Sequence, residues 1–188
     1  SSDLQLISFM VVFTVVPVWF LYKRRKDLPV NDLPSLFNRE FMMLYGAIVI
    51  LLSAFQIIST TSIPVFSKIF NTNLALTSNV VGFYNSWQMP FAMIVALLIG
   101  LAHYLSNDKN DMKRFWKQIL YPAGIALIIA IITFVTDHDM QFAHAVFMFL
   151  IVFAIISSLA YLFKYITKHR NLSAGLTHLG FSIFLLGV

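Results

Sequence analysis

The stretch Ile119–Phe163 reads ILYPAGIALIIAIITFVTDHDMQFAHAVFMFLIVFAIISSLAYLF. Its only charged side chains, Asp137 and Asp139, sit together in the tetrad Asp137–Met140, between the apolar runs Ile119–Thr136 and Gln141–Phe163. Runs of roughly 17–23 residues are what an α-helix needs to cross about 30 Å of hydrocarbon, and only a helix satisfies its own backbone there. Two such runs joined by a tight polar turn read as a transmembrane hairpin. Working outward, the same pattern recurs at Leu4–Tyr22, Phe41–Ser62, Trp87–Leu105 and Leu172–Val188. The expected fold is therefore all-α: a polytopic transmembrane helix bundle of about six spans, one domain over residues 1–188. Pro17, Pro90 and Pro122 fall inside or near helix starts, where a missing N–H costs least or a kink is tolerated.

Composition agrees. The chain is 59% hydrophobic and 11% charged, with a mean hydropathy of +0.81. It has no cysteine, which excludes disulfides, thiolate metal sites and Cys nucleophiles. The opening Ser1-Ser2-Asp3 lacks the basic n-region of a signal peptide, and the last run stops at Val188 without a polar tail. The sequence is therefore expected to be an internal fragment of a longer polypeptide.

The excess of five positive charges sorts by loop. Lys23, Arg24, Arg25, Lys26 and Arg39 follow the first span. Lys109, Lys113, Arg114 and Lys117 follow the third, and Lys164, Lys168 and Arg170 the fifth. Lys68 is the one basic residue elsewhere. Positive-inside bias puts the inner loops 23–40, 106–118 and 164–171 in the cytoplasm and the first residue outside. Nucleic-acid binding would need these charges gathered on one soluble face with interleaved aromatics, and no such face exists here. The outer loop, 63–86, is rich in Asn, Ser and Thr and is expected to be an exposed connection.

The sequence contains no Gly-rich phosphate loop and no H-E-x-x-H, and all eight acidic residues lie in loops or at span ends. Ion-coupled transport through a buried carboxylate is thus disfavoured. A channel or transporter would have to use Ser53, Gln56, Thr133, Ser157 and Ser158. Among the histidines, His178 stands about six residues inside its span, some 9–10 Å deep. A ring at that depth needs a hydrogen bond from a neighbouring helix or a metal. Gly175 and Gly180 flank it and leave room for a macrocycle or for close helix packing. His144 lies near the opposite membrane face, about 15 Å away along the axis. Two axial nitrogens on one iron stand only about 4 Å apart, so these two cannot share it. His103, at the inner end of the third span, is the only other His that could approach His178 in depth. His169 reads as solvated loop charge and His138 as part of a polar turn. Asn38 is a good N-cap, and Glu40 complements the helix dipole of the second span behind Arg39.

Three stretches taken together resemble a known family. Asn38–Phe66, NREFMMLYGAIVILLSAFQIISTTSIPVF, is similar to the RE-opened span of the CcmF family of cytochrome c-type biogenesis proteins, the haem lyase subunit of bacterial cytochrome c maturation. Val80–Leu105, VVGFYNSWQMPFAMIVALLIGLAHYL, resembles the family's next span, which follows an aromatic-Asn pair, here Tyr84-Asn85. Ala174–Val188, AGLTHLGFSIFLLGV, resembles its span with a small-x-His-x-Gly core. Order and orientation agree over essentially the whole chain.

The resemblance implies a multi-pass protein of the bacterial cytoplasmic (inner) membrane that takes part in attaching haem covalently to apocytochrome c outside that membrane. It implies a haem b bound within the bilayer, with His178 as one axial ligand of its iron beside Gly175 and Gly180, and the other axial His outside this sequence. It further implies haem as substrate, and a haem chaperone, apocytochrome-handling subunits, apocytochrome c and the lipid bilayer as partners. The family's Trp-rich outer segment and the histidines that hold substrate haem have no match here: Trp19, Trp87 and Trp116 are scattered. The catalytic residues are thus expected outside this chain, which alone is not expected to be active. The other classes considered are a non-catalytic assembly subunit and a small-molecule transporter.

Overall fold

The computed structural model describes residues 2–26, 38–72, 78–105, 112–166 and 172–187. Expectations for 27–37, 73–77, 106–111 and 167–171, including those for His169 and Arg170, lie outside these residues. All regular structure among them is α-helical. The chain divides into two compact units, Ser1–Pro34 and Ser35–Val188.

The first unit is a single helix, α1 (Ser2–Arg24), with Pro17 inside it and Lys23 and Arg24 in its last turn. Its apolar side chains from Val11 to Tyr22 are exposed.

The second unit holds α2 (Arg39–Thr61), α3 (Ile63–Ile69), α4 (Val80–Ala102), α5 (Met112–Thr136), α6 (Phe142–Ile166) and α7 (Ser173–Leu186). The helix starts follow local chemistry. Phe41 N–H donates to Asn38 Oδ1 at 2.9 Å, so Asn38 caps α2 as its type predicts. Gly82 N–H donates to Asn79 Oδ1 at 2.9 Å in the same way and opens α4 seven residues before Trp87. Pro64 lies in the first turn of α3, where its missing N–H costs nothing. The stretch 63–86 is thus partly helical, because capping residues inside a polar segment serve as starts as well as turns. α5 likewise begins at Met112 rather than Ile119, since MKRFWKQ has helical propensity and buries Phe115.

Four of the described helices, α2, α4, α5 and α6, are long and apolar enough to cross a membrane, against six expected spans. α7 has 14 residues, which at 1.5 Å each covers about 21 Å, short of the hydrocarbon thickness. α1 forms its own unit and is not among the four.

α6 is the hub, because α4, α5 and α7 all pack on it, while α2 packs on α4. Burial tracks that order: 33% of the apolar window of α6 is enclosed, against 6% for α2. Small and apolar side chains make the hub possible. Ala154, Ser157 and Ser158 are fully buried, and Phe153 lies against Gly100 of α4. Contacts fix the directions. Gly100 meets Phe153 and His103 meets Ser158, so α4 and α6 run parallel. Ser53 and Gln56 meet Gln88 while Thr60 meets Tyr84, so α2 runs antiparallel to α4. Gly175 meets Tyr161 and Leu162 while Leu185 clusters with Ile151, which sets α7 antiparallel to α6. The start of α2, the ends of α4 and α6 and the start of α7 therefore share one end of the bundle. The start of α5, paired with α6 through the short 137–141 link, lies there too. That end carries Arg39, Lys113, Arg114, Lys117 and Lys164, and the other carries Asp137, Asp139 and Lys68.

Candidate functional site

The basic end gathers polar side chains from several helices. His103 caps the C-terminus of α4. Its Nε2 is hydrogen-bonded to Ser158 Oγ at 3.0 Å, and its ring lies 4.8 Å from that of Tyr161, both on α6. The His178 ring, on α7, packs edge-to-face on His103, with centroids 5.1 Å apart and an interplanar angle of 62°. Arg39, half-buried at the start of α2, is within electrostatic reach of both imidazoles. Four helices thus contribute to one cluster.

Several buried polar atoms in this region have no partner among the described residues: His178 Nδ1, Ser157 Oγ, Tyr104 Oη and Asn38 Nδ2. Tyr104 and Ser157 are neighbours in this cluster. His178 as a whole is half-buried, and Nδ1 is its enclosed nitrogen.

The two glycines beside His178 differ. Three residues apart on a helix share a face, so Gly175 lies on the His178 side. A Cβ there would stand 2.9 Å from Tyr161 Cδ1 and 2.8 Å from Leu162 Cδ2, so its missing side chain is used by the α6–α7 contact. Around Gly180 nothing lies within 4 Å of a built Cβ, but two residues onward is about 200° round the helix, on the far side. The hydroxyls of Thr177 and Ser182 are spent on their own helix, donating to the carbonyls of Ser173 and His178 at 2.8 Å each.

If a haem were held here, this chain would offer it the half-exposed His178 imidazole, whose Nδ1 is enclosed without a partner among the described residues. His103 does not match the opposite position as it stands. Trans imidazoles on one iron have ring centroids about 6 Å apart with the macrocycle between them. Here the rings touch, and His103 Nε2 is engaged with Ser158. Among the described residues no three His, Cys, Asp or Glu side chains gather to hold a bare metal ion. His144 is on α6 near its start, at the opposite end from His178, as depth arithmetic requires.

A second polar group lies between α2 and α4 toward the other end. Ser53 Oγ donates to Gln88 Oε1 at 2.5 Å, Gln88 Nε2 donates to Gln56 Oε1 at 2.6 Å, and Thr60 Oγ1 donates to Tyr84 Oη at 3.2 Å. Gln56 Nε2 is buried and unpaired. Between this ladder and the His cluster, α4 turns Ala92, Ala96, Ile99 and Gly100 inward, which breaks any polar route. Thr133 bonds to the carbonyls of Ile129 and Ala130 on its own helix and lines no path.

Sequence reasoning placed His178 and reached His103 only through depth. It missed Tyr161 and gave Ser158 no imidazole partner. The available signal was the Ser157-Ser158 pair in the most apolar helix, since hydroxyls there must meet something polar. No family model, curated protein or solved structure matches the chain.

Proposed function

We propose that this chain belongs to a membrane subunit of a cytochrome c haem lyase and that His178 holds one axial position of an intramembrane haem b. The observation that carries the reading is the half-buried imidazole of His178 on an apolar helix, whose ring makes no hydrogen bond among the described residues. An imidazole in such a place is costly unless the ring has a task. The sequence likeness of three ordered stretches names that task. Bound there, low-spin haem iron supplies one-electron transfer. The chain's own part is to present one nitrogen, keep the ring out of bulk water and set the second-shell contacts through α4 and α6. In this reading the basic end is cytoplasmic, in a bacterial inner membrane. A haem chaperone and apocytochrome c are met by parts of the subunit beyond this sequence. Full-length protein carrying His178→Ala is expected to lose its haem b signal in the reduced spectrum. Unchanged haem b content would sink the proposal.

A second reading rests on the His103–Ser158 bond and the closed Gly175 contact: the polar cluster fastens α4, α6 and α7 in a non-catalytic assembly subunit. In that case the parent protein purifies without haem, and His178→Ala lowers thermal stability alone. The break in the polar route at Ala96 and Ile99 weighs against a transporter.

A further inference from the structure

The geometry points to His103 as a positioning residue: held by Ser158 and Tyr161, its ring packs edge-to-face on His178 and fixes the orientation in which that imidazole would meet iron. This rests on the haem reading above and assigns the residue that makes it work. Three observations carry it. Ser158 is fully buried, its oxygen is 3.0 Å from His103 Nε2, and the fixed hub helix therefore holds the His103 ring. The Tyr161 ring backs His103 at 4.8 Å, and Tyr161 is itself confined by the close approach of Gly175. His103 then meets His178 edge-to-face at 5.1 Å, and the enclosed nitrogen of His178 is Nδ1.

The physical need is general. A ligating imidazole must be held in one orientation, by a hydrogen bond at its second nitrogen or by packing, and the Nδ1 of His178 has no hydrogen-bond partner among the described residues. Most such rings lean on a carboxylate or a carbonyl. Here the group packed on His178 is another imidazole, whose own orientation is set by a serine on the central helix. The chain from Ser158 through His103 to His178 thus ties ligand orientation to the packing of α4 on α6.

The test uses full-length protein in detergent with three variants beside the parent: His178→Ala, His103→Phe and Ser158→Ala. Each is scored for haem b per protein, midpoint potential and the low-spin g-values of the oxidised haem. His178→Ala is expected to lose haem b. His103→Phe keeps an aromatic wall but loses the bond to Ser158, and Ser158→Ala removes the same bond with the deletion of one oxygen. Both are expected to retain haem b and to shift the potential and g-values in the same direction. A purely structural role for His103 would move stability without moving the g-values. If His178→Ala loses haem b while the other two match the parent in potential and g-values, the positioning role is overturned and the haem reading stands. If His178→Ala keeps its haem b, both fall together. Ser158→Ala is the smallest change, so it carries the test even if His103→Phe fails to accumulate.

Discussion

Gly175 and Gly180 are two glycines on one short helix, and they respond in opposite ways to the same substitution. A methyl at 175 enters the space of Tyr161 and Leu162 at under 3 Å, well inside ordinary carbon contact of about 3.5–4.0 Å. Leu162 can rotate away, but Tyr161 is stacked beside His103 and can move only by disturbing that ring. Gly175→Ala is therefore expected to cost about 1–3 kcal/mol, as overpacking does. Gly180→Ala meets nothing and is expected to be neutral or to stabilise by up to about 1 kcal/mol, since glycine weakens a helix interior. Thermal unfolding of both variants in the same detergent checks the contrast. Equal losses at the two positions would contradict the packing described. The glycines look alike in sequence. Only the location of α6 distinguishes them.

At the scale of elements, the α2–α4 pair shows how polar side chains act where water is scarce. α2 is the least enclosed of the four long helices, so apolar packing alone holds it weakly. Gln88 reaches across to both Ser53 and Gln56, which lie three residues apart and so share a face. Interhelical hydrogen bonds in membranes average about 0.6 kcal/mol each, so Gln88→Leu is expected to weaken the pair by about 1 kcal/mol. A double-mutant cycle with Ser53→Ala, followed by unfolding in mixed micelles, should return a coupling of about half a kcal/mol. No coupling would mean that the ladder is incidental. Much at this scale was legible beforehand. Asn38 caps α2 as its type and place predicted, and the span cores of α2, α4, α5 and α6 follow the apolar runs. Boundaries were less legible. Val80 and Met112 open helices earlier than hydropathy indicates, because capping and amphipathic propensity extend a helix into polar sequence.

For the whole molecule, the gathering of Arg39, Lys113, Arg114, Lys117 and Lys164 at one end gives the bundle a charge axis. If that end is cytoplasmic, as positive-inside bias predicts, topology can be read directly, since the chain has no native cysteine to confuse labelling. A membrane-impermeant maleimide applied to intact cells should label Asp139→Cys and leave Lys117→Cys unlabelled until the membrane is opened. The reverse pattern would invert the assignment and place His178 near the outer leaflet.

The sequence by itself determined the helical class, the apolar helix cores, the segregation of basic residues and the isolation of His178 from His144. Each follows from quantities that add along the chain: hydropathy, helical rise and charge. Which residues surround His178 was decided only by tertiary structure. The meeting of Ser158, His103 and Tyr161 depends on α4 and α6 running parallel with Gly100 against Phe153, a relation between segments far apart in sequence. Periodicity gives each helix a buried face, but it does not name the helix that covers it.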